Sequence, residues 1–170
     1  RDAARGDIAM TDLSAFQVGK NLATTPGAVV YRGRLLEVIH YEATTPTVKQ
    51  IPVVIVSPWI NKYYVLDLDN KKSLIQYLVS QGFSVFVTSW KNPGPDDKEV
   101  GFDDYITEGI DRIVQVAKDI QQSEQVLLTG YCIGDTLTTV YLAWLAAQKR
   151  GDEVAGATLL TTLTDFSRPG

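Results

Sequence analysis

The sequence predicts an α/β protein whose central sheet is mostly parallel, and three observations carry this prediction. Residues 51–57 form a continuous apolar run rich in β-branched residues, as in a strand buried on both faces of a parallel sheet. Strand-like and helix-like segments alternate after it, which is the order that builds parallel sheets. Two β-type segments before it, 28–31 and 35–41, are separated by three residues and predict a hairpin.

Periodicity and the positions of glycine and proline predict the later elements. The helix over 102–121, for example, has apolar residues near helical spacing. The predicted elements are a loop (58–69), a helix (72–80), a strand (83–89), a loop (90–99), a helix (102–121), a strand (126–129), a helix (137–148) and a strand (154–163).

The single cysteine lies between a predicted strand and a predicted helix, in the sequence GYCIG at 130–134. This context is typical of a nucleophile elbow, in which the nucleophile has a strained backbone and the glycines let strand and helix pass closely. The positive end of the helix favours the thiolate of Cys132. The alternative is an inert structural cysteine, because cysteine is often buried. With the strand order, the elbow predicts an α/β-hydrolase fold, a mostly parallel sheet with flanking helices.

Composition limits the classes of function. The chain has 170 residues and an apolar fraction of 45%, enough for one domain with a core. No apolar run approaches the ~20 residues of a membrane span, and the N-terminus lacks the apolar part of a secretory signal, so we expect a cytoplasmic protein. A net charge of −4 and a pI near 4.9 argue against a nucleic-acid partner.

The partners of a catalytic cysteine are not evident in the sequence. The fold places an acid and then a histidine after the nucleophile, whereas the single histidine, His40, precedes it, and we interpret it as a half-exposed strand residue. Asp165 is a candidate acid, with a loop or cap residue as the alternative. We therefore expect residues 1–170 to be the N-terminal portion of the catalytic domain, without its acid and histidine region.

An oxyanion hole is easier to assign. One donor is the backbone N–H of Ile133, the residue after the nucleophile, and the other comes from the loop after the first parallel strand. By position in that loop the second donor is Ile60. The aromatic residues beside it, Trp59, Tyr63 and Tyr64, are either packing residues or part of the site.

Several stretches resemble polyhydroxyalkanoate synthases. PWINKYYVLDL at 58–68 looks like a signature loop of that family, and GYCIG at 130–134 looks like its cysteine-containing lipase box. VGKNLATTPG at 18–27 and TSWKNP at 88–93 are similar to further stretches. The resemblance runs over nearly the whole chain and is greatest to the class I type, which acts without a second type of subunit. It implies an internal portion of such an enzyme.

The resemblance implies an acyltransferase that polymerises (R)-3-hydroxyacyl-coenzyme A into polyester through a thioester on Cys132. Family members pair the cysteine with an aspartate and a histidine from the C-terminal part, so we expect residues 1–170 alone to be inactive. They act as homodimers on polyhydroxyalkanoate granules. No cofactor and no metal are expected.

Asp135 departs from the family pattern, which usually has a second glycine there. It adds a side chain where the helix packs on the sheet, and its charge opposes thiolate formation, so we expect lower activity. Two alternatives stay open. One is a cysteine-dependent hydrolase of small esters or lactones. The other is a granule-associated module that has kept the fold and lost catalysis, with Asp135 as its marker.

Overall fold

A computed structural model describes residues 12–167 of the chain. Short 3-10 turns connect some of its strands and helices. The strands and helices are β1 (Gly27–Arg32), β2 (Leu36–Tyr41), β3 (Val53–Val56), β4 (Asp67–Asp69), β5 (Lys72–Ser73), α1 (Leu74–Ser80), β6 (Val85–Trp90), α2 (Phe102–Asp104), a π-helical segment (Tyr105–Ile110), α3 (Asp111–Gln121), β7 (Val126–Tyr131), α4 (Ile133–Ala147) and β8 (Val154–Leu160).

Six of the strands form one sheet in the order β1-β2-β6-β3-β7-β8. The pairs β6-β3, β3-β7 and β7-β8 are parallel, while β1-β2 and β2-β6 are antiparallel. The predicted hairpin and the mostly parallel sheet are thus both confirmed. β4 and β5 pair with each other in a separate two-stranded ribbon.

The core lies on both faces of this sheet. Alternate residues of β3 point to opposite faces: Val54 and Val56 pack in the cluster on the face of α3 and α4, and Val53 and Ile55 pack in the cluster on the face of α1. All four are buried, which explains why the predicted strand is apolar without alternation.

Three local differences from the predictions have physical reasons. The predicted loop over 58–69 is partly wrong, because Tyr63–Leu66 forms a 3-10 turn and β4 follows it. The last helix begins at Ile133 and not at residue 137, because Cys132 occupies the N-cap position. The helix over 102–121 is continuous but contains the π-helical segment, in which Gly109 lies against the ring of Trp90.

None of the helices within residues 12–167 is long and apolar enough to cross a membrane.

Candidate active site

Cys132 lies at the turn between β7 and α4 and has φ +56° and ψ −126°. Non-glycine residues rarely adopt this conformation, and strain of this kind is common at functional sites. The side chain is exposed, which contradicts the alternative of a buried structural cysteine. The predicted strand–cysteine–helix turn is therefore present, with its thiol open to solvent.

The two glycines of GYCIG are required by close packing. A Cβ atom on Gly134 would overlap the carbonyl oxygen of Val56 in β3 and would lie 3.1 Å from the carbonyl carbon of Ser57. A Cβ on Gly130 would overlap the Asp135 carboxylate and lie 2.7 Å from the Asp135 Cα atom. The first turn of α4 thus packs directly on the backbone of β3 and β7, as the sequence predicted.

Two segments lie beside the elbow because they follow parallel neighbours of β7. Val56 pairs with Gly130, so the loop after β3, residues 57–62, starts beside the turn on one side. Leu160 pairs with Tyr131, so the segment after β8 starts on the other side. In α/β sheets the carboxyl ends of parallel strands are where ligands bind.

The 57–62 loop is fixed at its base. The buried N–H of Ser57 donates to Thr88 Oγ1 over 2.8 Å, and the indole N–H of Trp90 donates to the Ser57 carbonyl oxygen over 2.6 Å. The first aromatic residue of the loop, Trp59, packs edge-on against Trp90 with ring centroids 6.1 Å apart, and its ring centroid lies 5.1 Å from that of Tyr105. Packing is therefore the role of Trp59, whereas the side chain of Ile60 is 76% exposed.

The backbone N–H groups at the start of α4 suit an oxyanion hole. The first N–H groups of a helix have no acceptor within the helix, and Ile133 is the first residue of α4. Ile60 lies in the loop that begins beside the elbow. The assignment of Ile133 and Ile60 as the two donors stays a prediction.

Asp135 is fully buried behind the nucleophile, in the first turn of α4. Its Oδ2 accepts a hydrogen bond from Thr162 Oγ1 over 2.5 Å. Its Oδ1 has no hydrogen-bond partner within the described residues. Burial raises the pKa of this carboxyl, and the hydrogen bond from Thr162 opposes that rise.

His40 and Asp165 do not join Cys132. His40 lies on β2 and stacks on Phe86 with ring centroids 4.1 Å apart, and its Nε2 shares a 2.9 Å hydrogen bond with Ser84 Oγ. Three strand spacings separate β2 from β7, about 14 Å in all. Burial lowers the pKa of His40. Asp165 is exposed and accepts a hydrogen bond from the N–H of Ser167, as a loop residue would.

Comparisons with known proteins fit these motifs. The profile of a family described as "Poly-beta-hydroxybutyrate polymerase (PhaC) N-terminus" matches residues 1–78. A poly(3-hydroxyalkanoate) polymerase of Methylorubrum extorquens is 45% identical over 163 residues, which are 96% of this chain. A poly(3-hydroxyalkanoate) polymerase subunit PhaC of Cupriavidus necator is 43% identical over 170 residues, 99% of this chain. Over nearly its whole length the chain is therefore similar to poly(3-hydroxyalkanoate) polymerases.

The chain spans 27% and 28% of the lengths of these two polymerases. Solved structures resemble it at the level of fold. A Vigna radiata epoxide hydrolase mutant, M263Q, matches with a TM-score of 0.55 at 14% identity, over 83% of this chain and 40% of that one. An alpha/beta hydrolase from the metagenome of lagoon sediments at Mar Chica, Morocco, has a TM-score of 0.52 at 12% identity, over 78% and 50%. The described residues therefore form an incomplete α/β-hydrolase fold.

Sequence reasoning missed two groups of residues around the site. Thr88 and Trp90 hold the 57–62 loop, and both lie in the TSWKNP motif, whose aromatic and hydroxyl residues at a strand end were a usable signal. Leu160 accepts from Cys132 N–H and Thr162 donates to Asp135, and no sequence signal pointed to either residue, since these contacts depend on which strand pairs with β7.

Proposed function

We propose that the protein containing this chain is a polyhydroxyalkanoate synthase in which Cys132 carries the growing acyl chain as a thioester. The exposed, strained cysteine at the β7–α4 turn is the observation that carries this proposal. The names of the relatives support the same reaction class.

Acylation breaks one thioester and forms another. The Cys132 thiolate attacks the carbonyl carbon of an (R)-3-hydroxyacyl-coenzyme A, the carbon–sulfur bond to coenzyme A breaks, and the proton lost by Cys132 leaves with the coenzyme A thiol. The backbone N–H groups of Ile133 and Ile60 stabilise the negative oxygen of the tetrahedral intermediate. The energies of the two thioesters are similar, so the step is readily reversible.

Elongation transfers the bound acyl chain to a hydroxyl oxygen. The hydroxyl of the next (R)-3-hydroxyacyl-coenzyme A attacks the Cys132 thioester, the bond between the acyl carbon and the Cys132 sulfur breaks as the ester bond forms, and the hydroxyl proton ends on Cys132. The chain, now one unit longer and held as a coenzyme A thioester, returns to Cys132 by the acylation step. Within residues 12–167 no hydrogen bond to the Cys132 thiol occurs. The resemblance assigns the proton acceptor to a histidine, oriented by an aspartate, in the C-terminal part of the enzyme.

The same resemblance supports a class I synthase that acts as a homodimer on polyester granules in the cytoplasm. Residues 1–170 then form the N-terminal portion of the catalytic domain and are inactive alone.

The test is coenzyme A release from (R)-3-hydroxybutyryl-coenzyme A by the full-length protein, beside Cys132→Ala. Release with polymer formation, absent in Cys132→Ala, is the expected result. Release of free 3-hydroxybutyrate without polymer would instead identify a hydrolase. If both proteins release coenzyme A only at the background rate, the result would contradict a catalytic role for Cys132 and support the non-catalytic module.

A further inference from the structure

The end of β8 and the segment after it are attached to the nucleophile elbow by three hydrogen bonds. Cys132 N–H donates to the Leu160 carbonyl oxygen over 3.0 Å, and Thr136 Oγ1 donates to the Leu163 carbonyl oxygen over 3.0 Å. The third bond runs from Thr162 Oγ1 to the Asp135 carboxylate.

The residue between Leu160 and Thr162 is strained. Thr161 has φ +63°, a left-handed conformation that is unusual for a β-branched residue because its Cβ crowds the backbone. Such conformations persist where surrounding contacts hold them. Here Leu160 accepts a hydrogen bond from Cys132 N–H and Thr162 donates one to the buried Asp135 carboxylate, while Thr161 itself is exposed.

We propose that Asp135 is a positioning residue: its buried carboxylate holds Thr161 in the left-handed conformation and fixes the segment 160–163 as the wall of the Cys132 site on the β8 side. The opposite wall is the 57–62 loop. Asp135 therefore has two opposed effects on activity. Its charge near Cys132 lowers activity, and its ordering of the wall at 160–163 offsets that loss. The link to catalysis, though not the structural part, rests on the proposed function.

The chemistry of the contacts explains why a carboxylate fits this place. The Thr162 hydroxyl needs an acceptor oxygen, and Oδ2 lies 2.5 Å from it. None of the ion pairs among residues 12–167 includes Asp135, so no side-chain cation is part of this arrangement. An asparagine keeps an acceptor oxygen at the same position, whereas a glycine keeps none.

The experiment compares Asp135→Gly, Asp135→Asn and Thr162→Val in the full-length protein, with Asp119→Asn on the exposed surface of α3 as the control. Hydrogen–deuterium exchange is measured for the peptide that contains residues 160–163. We expect about tenfold faster exchange in Asp135→Gly, a smaller increase in Thr162→Val, and near-parental exchange in Asp135→Asn and Asp119→Asn.

Activity provides the second readout. The kcat of coenzyme A release is expected to fall about tenfold or more in Asp135→Gly and to recover in Asp135→Asn, because the conservative variant restores the wall. If the parent protein releases no coenzyme A while the exchange differences hold, the proposed function fails and the positioning role stands.

Two results would overturn the proposal. One is unchanged hydrogen exchange of residues 160–163 in Thr162→Val. This variant leaves the helix and the elbow intact, so it tests the proposal even if Asp135→Gly does not fold. The other is equally fast exchange in Asp135→Asn and Asp135→Gly, because the retained acceptor oxygen would then have no effect.

Discussion

The indole N–H of Trp90, at the end of β6, donates to the carbonyl oxygen of Ser57, the first residue after β3, over 2.6 Å. The same ring packs against Trp59, Tyr105 and Gly109, where a Cβ atom would lie 2.9 Å from it. One side chain thus connects the π-helical segment to the base of the loop that carries Ile60. π-Helical turns occur often at functional sites, and here the turn brings a glycine against the ring.

Replacing Trp90 with phenylalanine removes the hydrogen bond and leaves the Ser57 carbonyl without this donor. We expect the free energy of unfolding to fall by about 1–3 kcal/mol. The kcat of coenzyme A release in the full-length protein should fall about tenfold or more, since small displacements of positioning groups are costly. Urea denaturation and steady-state kinetics measure the two effects. Tyr77→Phe, on the exposed face of α1, is the control. An unchanged kcat in Trp90→Phe would show that Trp90 does not position the 57–62 loop for catalysis.

The predicted oxyanion donor at Ile60 is a backbone group, so proline is the informative substitution. Ile60→Pro removes the N–H, whereas Ile60→Ala keeps it and removes most of the exposed side chain. We expect kcat to fall by a factor of about 10² or more in Ile60→Pro and to change little in Ile60→Ala. Both variants should be checked for folding by circular dichroism. Similar kcat values in the two folded variants would assign the second donor elsewhere.

Gly134 should not tolerate a methyl group. Its Cβ would overlap the carbonyl oxygen of Val56, which is in a fully buried strand and cannot move easily. We expect Gly134→Ala to lower the free energy of unfolding by about 2 kcal/mol or more. Gly151→Ala is the matched control, because no atom lies within 4 Å of the Cβ it would add. Equal stability of the two variants in urea denaturation would contradict the close helix–sheet contact.

Glu153, just before β8, contacts α3 and Arg150 in the turn after α4, and the stability it contributes depends on pH. The hydrogen bond from Arg150, with others from Gln115 and Lys118, lowers its pKa from 4.5 to about 2. A carboxyl with a lowered folded-state pKa stabilises the protein above its unfolded pKa, and the effect is lost as pH falls from 4.5 towards 2.

Glu153→Gln should therefore cost on the order of 2–3 kcal/mol at neutral pH, and the difference from the parent protein should shrink below pH 4.5. Thermal denaturation over a pH series measures it, with exposed Glu124→Gln as the control. A difference that does not change with pH would mean that the charge of Glu153 is not responsible.

His40 should be dispensable for catalysis. It lies on β2 and contacts Phe86 and Ser84. Two strands, β6 and β3, separate β2 from β7, which leads into the elbow. We expect His40→Gln to keep coenzyme A release within about twofold of the parent, with any loss confined to stability, in the range of about 1 kcal/mol for the hydrogen bond to Ser84. Loss of release in a folded His40→Gln protein would place this histidine in the reaction.

The sequence by itself was sufficient for the elements whose signals are local. The apolar, β-branched run of β3 has no alternation because both faces are buried, and this is visible without coordinates. The turn at Cys132 was equally predictable. The two glycines that its close packing requires, at 130 and 134, lie within two residues of the cysteine. The resemblance to polyhydroxyalkanoate synthases was recognisable for the same reason, because the motifs that carry it are contiguous.

Contacts between segments distant in the chain were decided by the tertiary structure. Trp90 meets Ser57 because β6 and β3 are neighbours, and Thr162 meets Asp135 because β8 pairs with β7. From the sequence, Asp135 was an unfavourable charge near the nucleophile, and only the fold supplies its hydrogen-bond donor, Thr162. Hydrogen bonds depend on distances of a few tenths of an ångström between groups brought together by strand order, and local sequence patterns carry no information about such distances.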